Sequence, residues 1–195
     1  MTSNRMATIA VGLLVLTGCV VSLHPVYTQG DIVFEPALVG RWAEGPDVFQ
    51  FEKAGDRTYQ LTYTDESGAS GRFTAHLLKL DGDLYLDLFP EDPELKENDF
   101  YKMHIVAAHT FMRVKQISPR LQMAFMDYDW LDQLLKKTPE ALKHEKQEDR
   151  VIITASTKEL QAFLRKYSKA EGLWDDFSDM KRVKQESEMQ QESGE

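Results

Sequence analysis

Two stretches decide the fold class: Val48-Phe49-Gln50-Phe51-Glu52 and Thr58-Tyr59-Gln60-Leu61-Thr62-Tyr63. Phe49 and Phe51 alternate with Val48, Gln50 and Glu52, and Tyr59, Leu61 and Tyr63 alternate with Thr58, Gln60 and Thr62. Successive side chains of a strand point to opposite faces. A period of two, rich in aromatic and β-branched residues, therefore predicts half-buried strands. Outward from this pair, residues 65–71 are a polar, glycine-containing connection and residues 73–80 read as a strand. Asp81-Gly82 then reads as a hairpin turn, with Leu84, Leu86 and Leu88 as the next apolar face. Phe89-Pro90 ends that strand, and residues 91–98 form an acidic loop. Residues 101–117 read as a strand pair or one bent strand, with Ala107-Ala108 at the bend, and Leu121, Met123 and Phe125 add another strand.

Helices are expected only around and after this region. Residues 34–39 read as one helical turn with Pro36 near its start. Asp127 or Asp129 caps a short helix carrying Trp130, Leu131, Leu134 and Leu135, and Thr138-Pro139 opens another toward His144. Residues 151–154 read as a last strand. Ser156-Thr157-Lys158-Glu159 fits a capping box, in which the Ser156 hydroxyl and the Glu159 carboxylate each satisfy a backbone N–H. Leu160, Phe163, Leu164 and Tyr167 follow on one helix face, and Glu171-Gly172 ends that helix. The fold class is mainly β: an antiparallel barrel or strongly curled sheet, with short helices inserted late and a C-terminal amphipathic helix.

Gly40-Arg41-Trp42, directly after the predicted turn, resembles the G-x-W that opens the first strand of lipocalins. The resemblance implies a closed eight-stranded barrel, with Gly40 and Trp42 as structural residues and the indole plugging one end. The C-terminal helix is similar in order and kind. The chain departs from that family in its two predicted helices between Phe125 and Val151. The residue paired with the indole is left open between Arg113 and Arg150.

The only cysteine ends Leu16-Thr17-Gly18-Cys19, after Arg5 and a ten-residue apolar run, residues 7–16. Ten helical residues rise only about 15 Å against roughly 30 Å of bilayer core, so the run is an export signal and not a span. The pattern resembles the type II signal peptide and lipobox of bacterial lipoproteins. That resemblance implies cleavage between Gly18 and Cys19 and a diacylglyceryl, palmitate-bearing cysteine. A free thiol or an intermolecular bridge is the other reading of a lone cysteine. Val20 and Val21 follow, and the absence of an Asp after the cysteine implies the outer membrane, facing the periplasm, in a Gram-negative host. The mature chain is also similar to uncharacterised lipocalin-like bacterial lipoproteins in its Leu23–Thr28 and Thr154–Leu160 stretches, a likeness that carries no activity with it.

Removing residues 1–18 from the 195 leaves 177, enough for one well-cored domain. That segment holds one Arg and no acid, so the net charge of −9 becomes −10. An acidic chain is a poor partner for nucleic acid or anionic lipid. The expected organisation is a signal peptide over 1–18, a lipidated tether over 19–35, a single domain over 36–178 and a charged, disordered tail over 179–195. A membrane partner through the N-terminal lipid, a small apolar ligand and an envelope protein are the expected partners.

Chemistry-bearing residues are sparse. His104 and His109 stand five apart, an odd spacing that sends them to opposite faces of a straight strand. A metal site needs further ligands, and none is expected, nor is any cofactor. His76, between Ala75 and Leu77, reads as structural, and Ser70 lacks a nucleophile elbow. Asp81-Gly82-Asp83 lacks the remaining positions of a calcium loop, and the acidic loop around Glu91, Glu94, Glu97 and Asp99 reads as solvated. Three functions follow. The first is a non-catalytic module binding a small apolar ligand, with Tyr59, Tyr63, Phe73 and Met123 as candidate lining. The second is an envelope accessory protein acting through its surface, with Trp130 and Trp174 as candidate contacts. The last is a hydrolase using His76, His104 or His109.

Overall fold

Residues 19–91, 96–148 and 150–183 are described by a computed structural model. The predicted signal peptide, with Gly18, lies outside the described residues, as do residues 92–95 of the acidic loop and residues 184–195 of the tail.

The alternating stretches form strands β4 (Asp47–Lys53) and β5 (Tyr59–Thr64), antiparallel with Phe51 opposite Leu61 and Phe49 opposite Tyr63. Strand β3 (Gly40–Glu44) precedes them, and β6 (Ser70–Leu80), β7 (Asp83–Pro90), β8 (Thr110–Gln116) and β9 (Arg120–Phe125) follow in a meander. The eighth staff is β12 (Met180–Val183), which pairs with both β9 and β3 and closes an antiparallel barrel of eight strands. Closure leaves no open edge between β3 and β9. This is the lipocalin-like barrel that Gly40-Arg41-Trp42 implied.

The β6–β7 hairpin turns at Asp81 and Gly82, both with positive φ (51° and 94°), as a tight hairpin requires. Strand β2 (Ile32–Val33) extends the sheet beside β6 where β5 has ended. A second, three-stranded sheet lies outside the barrel: β1 (Cys19–Ser22) runs parallel to β11 (Arg150–Ile153), which pairs with β10 (His144–Gln147).

Two apolar cores result. One fills the barrel with Trp42, Phe51, Leu61, Leu77, Leu86, Met112 and Leu121. The other lies between the outer surface of β6–β9 and the helices α2 (Tyr128–Lys137) and α3 (Thr157–Tyr167) with the small sheet. Leu78, Tyr85 and Phe111 face it from the barrel, and Leu131, Ile153, Leu160 and Leu164 cover them.

The capping box forms as read: Ser156 Oγ accepts from Glu159 N–H, and the Glu159 carboxylate accepts from Ser156 N–H at 2.9 Å. Lys143 and Ser156 hold the Glu159 carboxyl down at about 2. Asp127 is the cap of α2, accepting from Trp130 N–H. Pro36 opens a 3-10 turn ending at Leu38.

Several expectations are corrected. Residues 101–117 do not form one long strand. Asp99–Lys102 is a helical turn, α1, capped by the Asn98 side chain, and only β8 pairs. The helix expected from Pro139 stops after a 3-10 turn at Ala141, and the chain then enters β10. Thr138 makes no side-chain cap there. The segment read as a tether is part of the fold. Ser22 and His109 exchange two backbone hydrogen bonds of 2.8 Å, Thr157 Oγ1 donates to the Pro25 carbonyl, and Val26 is fully buried. The tail assignment also began too early, because Met180–Val183 is the closing staff. Charge along Lys181-Arg182 hides it, since a four-residue strand shows only one inward apolar side chain, Met180.

Candidate functional site

The barrel has one sealed end. Trp42 lies beneath the 36–38 turn, with its Nε1–H donating to the Leu38 carbonyl at 2.9 Å. Neither Arg113 nor Arg150 reaches it. The Arg182 guanidinium lies 4.5 Å from the indole centroid and donates to the Val39 and Ala37 carbonyls at 2.9 and 2.6 Å. A guanidinium over an aromatic face is attracted by the ring quadrupole, and its fork also satisfies two carbonyls at the turn. Gly40 is required here: its φ is +134°, and a Cβ there would stand 2.5 Å from Arg182 Nη1. Arg113, next to inward Met112, points outward and joins Asp83 at 2.9 Å and the Ser168 carbonyl at 3.1 Å. Arg150 is in the outer sheet.

Along the barrel the four candidate ligand residues separate into two levels, with Tyr59 at the plugged end beside Glu35. Tyr59 is fully buried; its hydroxyl accepts from Glu35 N–H at 2.7 Å and donates to the Glu35 carbonyl at 3.2 Å. Burial raises its pKa. Met123 is also buried, so both belong to the packed interior. Tyr63 and Phe73 sit toward the other end of β5 and β6, half-buried. Tyr63 packs 4.8 Å from Phe49, and its hydroxyl donates to Asp47 at 3.2 Å. Burial, then the Asp47 charge, raises the Tyr63 pKa. Phe125, at the same end of β9, is exposed. Phe49 and Tyr63 thus pack together at this end, with Phe73 of β6 and exposed Phe125 of β9 at the same end, above the buried side chains that fill the barrel. Sequence alternation identified the apolar face of three of these strands but not that this face is the lumen. It carried no signal for depth along them.

A polar cluster on the outer wall was missed by spacing alone. His109 Nδ1–H donates to Asp87 Oδ1 at 2.7 Å, and Asp87 Oδ2 accepts from Val26 N–H at 2.9 Å. The carboxylate has no proton to give, so the hydrogen bond fixes the proton on Nδ1. His76 stands opposite Asp87 across the β6–β7 ladder, 4.6 Å from the Tyr27 ring and 3.3 Å from Thr58 Oγ1. Burial lowers the His76 pKa, with the Asp87 charge opposing and His109 adding to it. The cluster clasps residues 22–27 to the barrel. His104 stands apart on α1's exposed flank, bonded to the Phe100 carbonyl. Ser70 pairs with Thr64 across the ladder, away from every histidine. The Asp83 carboxylate takes Arg113 and Lys169. Among the described residues, no cluster of three metal-ligating side chains occurs.

Of the surface candidates, Trp130 and Trp174 are both half-buried. Trp130 meets Tyr167 edge-on at 5.9 Å, and Trp174 donates to the Ser168 carbonyl. A groove of about 290 Å³ lies between the 139–141 turn and α3, lined by Leu142, Ala162, Phe163, Tyr167, Lys143 and Lys166. Cys19 begins β1, opposite Arg150. No described helix is long and apolar enough to cross a membrane. Comparison with protein-family models, with curated proteins and with solved structures found no match for this chain.

Proposed function

We propose that this chain is a lipid-anchored protein of the bacterial cell envelope. Acylated Cys19 would hold it at the outer membrane facing the periplasm, where it acts as a non-catalytic binding module for a small apolar ligand. The observation that carries the binding reading is the contrast between the barrel's ends. One is plugged by Trp42 and Arg182, while the other presents Phe49, Tyr63, Phe73 and Phe125 half open to solvent. With the lumen filled, the ligand rests on the mouth and does not enter the barrel. The Leu16-Thr17-Gly18-Cys19 stretch supports the anchor. The His109–Asp87 pair supports a structural role, because Asp87 also holds Val26 N–H and so clasps residues 22–27 to the barrel.

The test is native mass spectrometry of the full chain released from its own envelope. A co-purifying mass in the small-lipid range, lost from a Tyr63→Ala/Phe73→Ala variant, is the expected result. A bare mass in both proteins overturns the ligand reading and favours the accessory reading, in which the barrel is a scaffold for a protein neighbour. Labelled palmitate, incorporated by the chain and absent from Cys19→Ser, tests the anchor separately.

A further inference from the structure

The loop between β7 and β8 carries an apolar cluster that the fold leaves uncovered. Phe100, Met103 and Val106 are 74%, 71% and 72% exposed, and Tyr101 and Ile105 are exposed beside them. A folded chain rarely leaves five large apolar side chains in seven consecutive positions to water without a surface to meet. The segment is not simply unstructured. Asn98 caps α1, the Met103, His104 and Ile105 amides continue the turn, and His104 folds back on the Phe100 carbonyl.

We propose that this loop inserts into the bilayer that holds Cys19; the proposal rests on the anchor reading above. Three observations select lipid over a protein partner. First, Cys19 is itself the first residue of β1, so no tether separates an acylated cysteine from the domain. The domain must then lie against the membrane. Second, β1 and the loop meet. Ser22 and His109 exchange both backbone hydrogen bonds, and each is three residues from the group of interest. By chain path Val106 lies within about 27 Å of Cys19, less than the roughly 40 Å width of a domain this size. Third, residues 96–106 hold two lysines (Lys96 and Lys102) and two acids (Glu97 and Asp99), and Glu91, Asp92 and Glu94 precede them, so the acidic loop disfavours an anionic surface and suits a zwitterionic one. The net acidic chain gains nothing from anionic lipid. Each apolar side chain moved from water into hydrocarbon favours the bound state by about tenfold or more. Three or more acting together set the orientation of the barrel on the membrane.

The experiment uses the full chain, with Met103→Cys carrying an environment-sensitive fluorophore, in protein-free phosphatidylcholine vesicles whose acyl chains bear quenchers. Acylation of Cys19 is read independently by mass. The expected result is an acylated protein with a blue-shifted label quenched from the hydrocarbon, the quenching falling several-fold in Phe100→Ser/Val106→Ser. An acylated protein whose label stays in water overturns the loop inference and leaves the anchor standing. A protein without acylation overturns the anchor and, with it, the insertion beside Cys19. A label shielded in native membranes but not in these vesicles assigns the loop to a protein neighbour and overturns the bilayer assignment.

Discussion

The barrel wall is built in two ways. In β4 and β5 apolar and polar residues alternate, apart from Val48, since only the lumen side is covered: Phe51 and Leu61 are buried while Gln50 and Thr62 are only half-buried. In β6, β7 and β8 neighbouring residues are both apolar and both buried: Leu77-Leu78, Tyr85-Leu86 and Phe111-Met112. One member of each pair faces the lumen and the other faces the helical layer. The same pleat produces two sequence textures because the far side of the sheet differs, solvent in one arc and α2, α3 and β11 in the other.

The largest expected effect comes from breaking either core. Phe51→Ala in the one-sided arc and Phe163→Ala in the covered layer should each cost about 3–5 kcal/mol, measured by denaturant unfolding. Gln50→Ala, next to Phe51 on the outward face, should stay within about 0.5 kcal/mol. Equal losses at Gln50 and Phe51 would refute a one-sided wall.

Next is the clasp between the two regions. Asp87→Ala leaves Val26 N–H and the His109 ring without their acceptor. A loss of about 2–3 kcal/mol is expected, with early hydrogen exchange at residues 22–27. Retained protection there would show that the β1 ladder alone holds the segment. At the plug, Arg182→Ala uncovers Trp42 and strips two carbonyls of their donor, for about 1–2 kcal/mol. Indole fluorescence should shift to the red as water reaches the ring.

The smallest effect is pH-dependent. Burial and the neighbouring Asp127 push the Asp175 carboxyl up to about 6. Its folded pKa exceeds its unfolded one, so the folded state gains stability as pH falls from about 6 towards 3.8, and pays a penalty above 6. Asp175→Asn should therefore stabilise at pH 7 by about 1 kcal/mol or less, since the carboxyl is only partly withdrawn from water and the rest of the residue is exposed and screened, with the gain fading by pH 4. A gain independent of pH would point to the amide's hydrogen bonding instead.

Much of this was legible in order along the chain. The alternation over residues 48–63, the Asp81-Gly82 turn and the Ser156–Glu159 box are local patterns, each complete within a few residues, and the Gly40-x-Trp42 stretch is read through its resemblance to lipocalins. The misread segments are those whose reason lies far away. Residues 20–28 lack a period and read as part of a tether, yet Asp87, Ile153 and Thr157 bind them from β7, β11 and α3, and His109 from the loop before β8. Residues 180–183 read as tail, yet two strand edges needed them. Arg182 could not be singled out from the other arginines, because a partner 140 residues distant leaves no spacing to read.

The sequence by itself determined the class of fold and the turn and cap chemistry, since propensity and periodicity act over short stretches. Only the tertiary structure decided where the barrel closes, which end is plugged, which candidate ligand residues reach the mouth and which apolar loop is left bare. Those outcomes depend on contacts between residues far apart in the chain, whose burial is set by what packs opposite and not by the residues themselves.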